Sequence, residues 1–299
     1  MSIQPPAPIN ANPADQVVRA ITDDGCFRVI AARTTQTVRG AIGAQKAHGP
    51  TAKHFGDLIT GAVLIREAMA PKLRVQAILK PKSRTGSLVA DSHPDGTSRG
   101  LVSFGGGSGE LAGPGAQLSI DGGLLQVMRT LPSGALHQGI VEIPPNKGIS
   151  GGLMAYMQDS EQIVTMIGVS TLLENDDVIA GGYLLQLLPE IERGPLMVMT
   201  ERLVEFEKLD DVLRSPHGTP DGILKELLYG MPYTRLDDSP LDFACHCSQV
   251  RVVSSLASLP RADIEDLIRD GEVLEIKCDY CGKEYRVPPA QLRSLLTPS

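Results

Sequence analysis

The feature that most constrains this chain is a pair of cysteine motifs close to its C-terminal end. Four of the five cysteines form a C-x-C pair, Cys245 and Cys247, and, after 30 intervening residues, a C-x-x-C pair, Cys278 and Cys281. Two thiol pairs brought together by folding supply four sulfur ligands at tetrahedral corners, which is the arrangement that Zn²⁺ prefers. The spacing therefore predicts one zinc ion bound by all four cysteines. His246 lies between the first two, and because four thiols are available we interpret it as a bystander.

The C-x-C pair makes the predicted zinc site unusual. Structural zinc ribbons mostly use C-x-x-C twice, with a glycine after the second cysteine, and Cys278 to Gly282 fits that pattern. Cys245 and Cys247 are separated by one residue, which forces a tighter approach. Four thiolates around Zn²⁺ leave a net charge of about −2 on sulfurs that stay nucleophilic. Oxidised sulfurs of this kind form disulfides, and the one-residue ring would be the strained, labile one. The pattern therefore suits a redox sensor at least as well as a permanent structural site.

Charge and hydropathy exclude several classes of function. The chain has a formal net charge of −7, and the segment 242–299 holds seven Lys and Arg against nine Asp and Glu, so we expect no nucleic-acid binding. No stretch approaches the ~18 apolar residues of a membrane span. The first ten residues lack the basic and apolar regions of a signal peptide. Because reduced thiols are implied as well, we expect a cytoplasmic protein.

The chain divides into four parts by composition and pattern. Residues 1–15 are rich in Pro, Asn and Ala and predict a disordered lead. Several strands with few crossover helices predict an α+β core domain over 16–195. Residues 196–241 predict an amphipathic helical linker, with helices over Thr200–Leu213 and from Pro220 onward and a turn-rich connector over 231–241. Residues 242–299 predict a small domain whose thin core depends on the metal.

Signals of catalysis are weak. Gly148 to Gly152 matches the G-x-S-x-G pattern of serine hydrolases, but chance explains it better in a chain with 31 glycines. Only His217 and His246 follow it as candidate bases. The fifth cysteine, Cys26, is more typical of a small buried hydrophobe than of a reactive thiol. We therefore expect no enzymatic activity.

Motifs in both halves of the chain resemble one known family. The segments are Phe243-Ala-Cys-His-Cys-Ser, Cys278-Asp-Tyr-Cys-Gly, Tyr156-Met-Gln-Asp-Ser-Glu-Gln and Gly181-Gly-Tyr-Leu-Leu-Gln-Leu-Leu-Pro. Together with the C-x-C, 30-residue gap and C-x-x-C arrangement, they resemble the redox-regulated 33-kilodalton heat-shock chaperones of bacteria. The resemblance implies a mixed α/β core domain, a helical linker and a C-terminal zinc-binding redox domain.

The resemblance also implies a function and a set of site residues. It implies an ATP-independent holdase that is inactive when reduced and zinc-bound, and that binds unfolding proteins after oxidation. Cys245, Cys247, Cys278 and Cys281 would bind zinc in the reduced form. On oxidation Cys245 would pair with Cys247, and Cys278 with Cys281. Such chaperones dimerise when active and transfer clients to ATP-dependent foldases.

The linker is the segment we expect to respond to this switch. It either packs permanently on the core as a helical hairpin or docks only while zinc is bound. Conditional docking would expose apolar side chains that capture unfolding proteins. These candidate client-binding residues are Leu203, Phe206, Ile223, Leu224, Leu227 and Leu228.

Two other functions remain open at this stage. A constitutive zinc-ribbon interaction module would use the same four cysteines as a permanent structural site. A thiol oxidoreductase would use Cys278 and Cys281 as its redox pair, although the βαβ context typical of such motifs is missing.

Overall fold

The structure is a computed structural model that describes residues 14–69, 72–83, 86–104, 118, 120–174, 177–189, 193–206 and 209–296. Its strands are β1 (Gln16–Thr22), β2 (Phe27–Arg33), β3 (Val75–Lys80), β4 (Ser87–Ser92), β5 (Thr97–Ser103), β6 (Leu124–Thr130), β7 (Leu136–Glu142), β8 (Thr165–Glu174), β9 (Asp177–Leu187), β10 (Tyr233–Arg235), β11 (Ser239–Pro240), β12 (Asp242–Phe243), β13 (Leu274–Lys277) and β14 (Glu284–Val287). Its helices are α1 (Thr35–Gln45), α2 (Gly49–Ala68), α3 (Gly148–Asp159), α4 (Arg193–Glu205), α5 (Leu209–Arg214), α6 (Pro220–Leu227), α7 (Gln249–Leu256), α8 (Arg261–Asp270) and α9 (Pro289–Leu296).

Two sheets build the larger part of the fold. Sheet A has the strand order β10-β1-β2-β9-β8, and β11 also pairs with β1. Sheet B has the order β12-β5-β4-β3-β6-β7, in which only the β12–β5 pair is parallel. The first hairpin, β1–β2, turns through Gly25 at φ +71°, a left-handed conformation that glycine adopts without steric cost.

Helix α2 lies between the two sheets, and all of its residues from 55 to 67 are buried. It contacts strands of sheet A (β2, β8 and β9) and of sheet B (β3, β4 and β5). Even its polar residues Asp57, Arg66 and Glu67 are buried. Helices α2 and α3 pack closely at Gly61, because a Cβ at this position would lie only 2.4 Å from Cδ1 of Leu153 in α3. With α1 and α3 beside it, α2 forms the middle layer of the main hydrophobic core.

The opposite face of sheet A is covered by helices α4, α5 and α6. Alternate residues of its strands point away from α2, as expected from the period of two in a strand. They form one buried apolar cluster with the three helices, which we call the linker cluster. Its sheet residues include Val18, Ala20, Cys26, Phe27, Val29, Ala31, Leu172, Tyr183 and Leu185, and its helix residues include Met199, Phe206, Leu209, Leu213, Ile223, Leu224, Leu227 and Leu228.

The last part of the described chain forms a small unit of its own. The hairpin β13–β14 packs with helices α7, α8 and α9 around Ile264, Val287 and Leu292. Few other apolar residues are fully buried in this unit, and none of the residues of α7 is. An apolar core of this size supplies little stability by itself.

The α+β class is confirmed, with mixed sheets and helices in the described residues. The predicted single helix over Thr200–Leu213 is wrong, because α4 ends at Glu205 and α5 begins at Leu209. Tertiary contacts override its periodicity: Phe206 packs edge-on against Tyr183, while Leu213 lies over Gly181 of the same strand.

Two regions, near the N-terminal end and in the predicted connector 231–241, contain more helix and strand than the sequence patterns indicated. Strand β1 and helix α1 were not predicted, and the segment 231–241 contains β10 and β11 where only turns were expected. Residues 1–13 of the predicted lead lie outside the described part. Asp15, its last residue, is buried, and its carboxylate accepts hydrogen bonds from the backbone N–H (2.7 Å) and hydroxyl (2.8 Å) of Thr37. Within the described residues, no helix is long and apolar enough to cross a membrane.

Candidate metal centre

Folding brings the four predicted ligands together. The sulfurs of Cys245, Cys247, Cys278 and Cys281 all lie within 4.8 Å of one another, and all four are free thiols. The sulfurs of Cys245 and Cys278 are 3.7 Å apart, and those of Cys247 and Cys281 are 3.4 Å apart. Each side chain is partly buried. Four sulfurs at such distances match the donor set of a tetrahedral thiolate site.

The second pair of cysteines is shaped by a tight turn between β13 and β14. The N–H of Gly282 donates to the carbonyl of Cys278 (2.7 Å), and the N–H of Cys278 donates to the carbonyl of Lys283 (2.9 Å). Gly282 has φ +70°, which favours glycine. Because these bonds fix the backbone, the sulfurs of Cys278 and Cys281 point to the same side.

The first pair is shaped by the elements before and after it. Strand β12 leads into Cys245 and pairs with Thr97 and Ser98 of β5. After Cys247, the hydroxyl of Ser248 accepts a hydrogen bond from the N–H of Arg251 (3.3 Å) and caps α7. The C-x-C pair is thus held between a strand of sheet B and a helix of the C-terminal unit.

The protein shifts the pKa values of Cys247, Cys278 and Cys281, and not all in the same direction. Burial opposes ionisation of Cys247, but hydrogen bonds from the hydroxyl of Tyr285 (3.0 Å) and from neighbouring thiols lower its pKa to about 7. Burial raises the pKa of the Cys278 thiol, and burial together with adjacent thiols raises that of Cys281 to about 12. Protons are therefore shared unequally within the cluster before a cation binds.

Two of the core side chains that contact the metal centre are those of Arg99 and Gln45. Arg99 of β5 donates from Nη1 to Sγ of Cys245 (3.3 Å), and its guanidinium lies 4.0 Å from the ring centroid of Tyr280. Gln45, at the end of α1, donates from Nε2 to the carbonyls of Asp279 (2.7 Å) and Tyr280 (3.0 Å). The turn that carries Cys278 and Cys281 is therefore held directly against sheet B and α1.

His246 is engaged elsewhere, in agreement with its interpretation as a bystander. Its Nε2 lies 2.7 Å from Oγ1 of Thr97 and 3.5 Å from Oδ2 of Asp95, and its ring packs on that of His93. The candidate ligand group found among the described residues contains the four cysteines alone.

The predicted client-binding residues lie away from the sulfurs, in the linker cluster. Five of them are at most 5% exposed: Phe206, Ile223, Leu224, Leu227 and Leu228. Leu203 is partly buried against the same cluster. In this state the residues are covered by sheet A.

Arg99 and Gln45 were not indicated by the sequence patterns. Their contacts with the metal centre span 146 and 234 residues of sequence, and neither lies in a motif. Tyr285 is nearer to the cysteines, and its position four residues after Cys281 in a short strand was the one available signal.

Comparison with known proteins finds matches that cover most of the chain. A family model described as "Hsp33 protein" matches residues 15–288. The chain is 30% identical over 288 residues to the 33 kDa chaperonin of Syntrophotalea carbinolica, covering 94% of this chain and 99% of that protein. It is 29% identical over 290 residues to the 33 kDa chaperonin of Citrifermentans bemidjiense, covering 94% and 97%.

A solved structure also resembles the fold. The crystal structure of the 33 kDa chaperonin (heat shock protein 33 homolog) from Thermotoga maritima matches with a TM-score of 0.79. The match covers 95% of this chain and 98% of that one, at 21% sequence identity. At this identity the likeness shows a common fold.

Proposed function

The chain belongs to the Hsp33 family, a family of chaperones without enzymatic activity, and we propose that it is a redox-regulated, ATP-independent holdase. In this proposal the reduced, zinc-bound protein is inactive, and oxidation exposes a surface that binds unfolding proteins and prevents their aggregation. The observation that carries the proposal is the cluster of four free thiols within 4.8 Å at the point where the last unit contacts the core.

Cys245, Cys247, Cys278 and Cys281 are the residues that would hold the zinc ion. The site fits the metal because it offers four thiols and because its histidine is engaged with Thr97. Bound zinc would neutralise part of the thiolate charge and fasten the two cysteine pairs to each other. The C-terminal unit has few fully buried apolar residues, so it depends on that cross-link.

Oxidation removes the donor set. Two thiolates together give up two electrons and form one S–S bond. One molecule of hydrogen peroxide accepts these electrons with two protons and leaves as two water molecules. We propose that Cys245 pairs with Cys247 and Cys278 with Cys281, through sulfenic acids that condense with the neighbouring thiol. A site with both disulfides would offer no thiolate to hold zinc.

The free energy lost with the metal is large compared with the stability of a folded domain. Structural zinc contributes about 10–16 kcal/mol in small zinc-finger peptides, whereas whole domains are stable by about 5–15 kcal/mol. The C-terminal unit is therefore expected to unfold when its cysteines are oxidised.

Unfolding of this unit would reach the linker through the chain itself. The segment from β10 to β12 crosses from sheet A to sheet B and ends next to Cys245. If its pairing fails, helices α4 to α6 lose one of their two attachments to the core. The linker residues would then be exposed, and so would the face of sheet A that they cover. Apolar surface of this size captures the apolar segments of other unfolding proteins.

The remaining parts of the proposal follow from the family. We propose that clients are unfolding or oxidatively damaged proteins, that the active form is a homodimer, and that clients pass to ATP-dependent foldases after reduction. We also propose that the protein acts in the cytoplasm, where thiols are kept reduced until oxidative stress.

Light scattering of a heat-unfolding client tests the proposal. The reduced, zinc-loaded protein should leave aggregation unchanged, and the peroxide-treated protein should suppress it. A Val250→Ser variant is the matched control, because it places a serine in the C-terminal unit at a side chain that is 74% exposed, and it should switch like the wild type. In a Cys245→Ser variant, peroxide treatment should no longer change how strongly the protein suppresses aggregation. Equal suppression in both redox states would refute redox control and favour the constitutive interaction module.

Limited proteolysis tests the structural part separately. Cleavage between Thr200 and Leu241 should be slow in the reduced, zinc-loaded protein and fast after peroxide. Non-reducing peptide mapping of the same sample should give the two proposed disulfides. Identical cleavage with and without metal would refute conditional docking of the linker.

A further inference from the structure

A charge network at the contact between core and metal centre has no role in the function proposed so far. Arg99 lies at its middle, between the buried carboxylate of Asp91 and the sulfur of Cys245. Among the residues that the structure describes, it is the one Arg or Lys whose side chain hydrogen-bonds to one of the four sulfurs.

Asp91 fixes the orientation of Arg99, and together with Arg74 these residues determine the net charge of the group. Asp91, fully buried on β4, accepts a hydrogen bond from Nε of Arg99 (3.1 Å) and two from Nε and Nη2 of Arg74 (2.6 and 2.9 Å). His93 also contacts this carboxylate (3.1 Å). The two guanidinium groups carry two positive charges against one carboxylate. The group of Asp91, Arg74 and Arg99 therefore keeps a net charge of +1, and Nη1 of Arg99 presents this charge to the sulfur of Cys245.

We propose that Arg99 is an electrostatic latch that holds the metal–thiolate centre on the core while Cys245 is a thiolate, and that releases it when Cys245 is oxidised. The proposal rests on the redox function above, because it names the core residue that responds to the state of the sulfur. Four thiolates around Zn²⁺ carry a net charge of about −2, which the charge of Arg99 partly balances. A hydrogen bond from a cation to an anion is also stronger than a neutral one.

Oxidation removes the partner of the latch. A sulfur in a disulfide is neutral and a weak acceptor, so Arg99 loses its attraction to Cys245. Its side chain is 13% exposed, and it shares its remaining counter-charge, the carboxylate of Asp91, with Arg74, so part of its positive charge is then unbalanced and costly to keep away from water. Opening the contact and hydrating the guanidinium then becomes favourable.

The latch acts on the same strand that holds the first cysteine pair by its backbone. Strand β12, just before Cys245, pairs with Thr97 and Ser98 of β5, and the N–H of Ala244 donates to the carbonyl of Ser98 (3.3 Å). Arg99 follows directly on β5. Loss of its sulfur contact therefore weakens the attachment of β12 before the C-terminal unit has unfolded. Arg99 is thus a positioning residue for the switch.

Cobalt(II) replacing zinc in the reduced protein gives a direct readout of the sulfur contact. A donated hydrogen bond stabilises the thiolate lone pair, so its removal should shift the sulfur-to-cobalt charge-transfer band to longer wavelength. We expect this shift in Arg99→Gln and a band close to the wild type in Arg99→Lys. Arg74→Gln is the matched control, because it also removes a guanidinium from Asp91 but touches none of the sulfurs. Its band should coincide with that of the wild type.

Release of the linker segment gives the second readout. In the reduced, zinc-loaded protein, the rate of protease cleavage between residues 233 and 244 should rise about tenfold or more in Arg99→Gln, the factor expected when a hydrogen bond to a charged group is lost. After peroxide treatment the wild type has lost the same hydrogen bond, so the two rates should converge. Arg74→Gln should change the rate in the reduced protein much less, and Arg99→Lys should restore most of the wild-type rate.

The outcomes separate the latch from its alternatives. An Arg99→Gln protein with wild-type cobalt band and wild-type release overturns the proposal. So does equal acceleration in Arg99→Gln and Arg74→Gln, which would indicate general weakening around Asp91. If oxidised wild-type protein fails to suppress aggregation, the holdase function fails, while the cobalt band still decides whether Arg99 binds the sulfur site.

Discussion

Truncating one side chain of the linker tests whether packing on sheet A keeps the chaperone inactive. Leu227 of α6 is 0% exposed and belongs to the linker cluster. A buried Leu→Ala change costs about 2–5 kcal/mol, from lost transfer free energy and from the cavity that remains. If undocking opens this cluster without unfolding the core, most of that cost falls on the docking equilibrium.

The expected shift in population follows from that cost. Even 2 kcal/mol multiplies the ratio of undocked to docked linker by about 30, since each 1.36 kcal/mol corresponds to a factor of ten. The Leu227→Ala protein should therefore suppress client aggregation partly in the reduced, zinc-loaded state. Its zinc content at saturating zinc should equal that of the wild type, because all four cysteines are unchanged.

Two assays read this shift. The first is light scattering of a heat-unfolding client with the reduced protein. The second is alkylation of Cys26, which is 2% exposed in the same cluster and should react faster when the linker undocks. Val204→Ala is the control, because Val204 is an apolar linker residue that is 63% exposed. A Leu227→Ala protein that stays inactive and protects Cys26 as well as Val204→Ala does would refute the view that linker packing restrains activity.

Three further predictions address stability and the metal. Burial raises the pKa of Asp57 to about 6, so the wild type should gain stability relative to Asp57→Asn as the pH falls from 8 through 6 to 4, by about 2 kcal/mol in urea unfolding. Gly282 has φ +70°, which disfavours a side chain, so Gly282→Ala should weaken metal binding by about 1 kcal/mol in a cobalt titration. Unchanged affinity would show that the turn tolerates a side chain. Chelation of the metal under reducing conditions should make residues 242–296 protease-sensitive without oxidation, while protection of α2 from hydrogen exchange persists; an intact C-terminal unit would show that zinc is not its main support.

The parts of the fold that could be predicted from the sequence are those determined by local chemistry. The turn at Cys278 to Gly282 needs two thiols and a glycine at fixed spacing, and the sequence displays all three. The helix that begins at Pro220 was predictable for the same reason, since Thr219 caps it and Pro220 occupies its first turn.

The parts that could not be predicted depend on distant partners. Helix α1 lacks a clear apolar period, and it forms where it fills the space between the sheets and α2. Strands β10, β11 and β12 have two or three residues each, and they are extended because β1 and β5 offer edges to pair with. Arg99 became a candidate only when folding placed it beside Cys245.

The short strands between the linker helices and Cys245 explain why release would be cooperative. Strands this short have no stability of their own, so each stays paired only while its neighbours hold the chain in place. Helix α6 holds one end on sheet A, and the metal centre with its Arg99 and Gln45 contacts holds the other end on the core. When the cysteine end is released, the segment from β10 to Cys245 is held at one end only. The conformational entropy that it gains favours separation of β10 and β11 from β1. Loosening of α6 would act on the metal centre through the same strands. We therefore expect linker undocking and detachment of the metal centre to be one coupled transition, with the four sulfurs determining which side of it is stable.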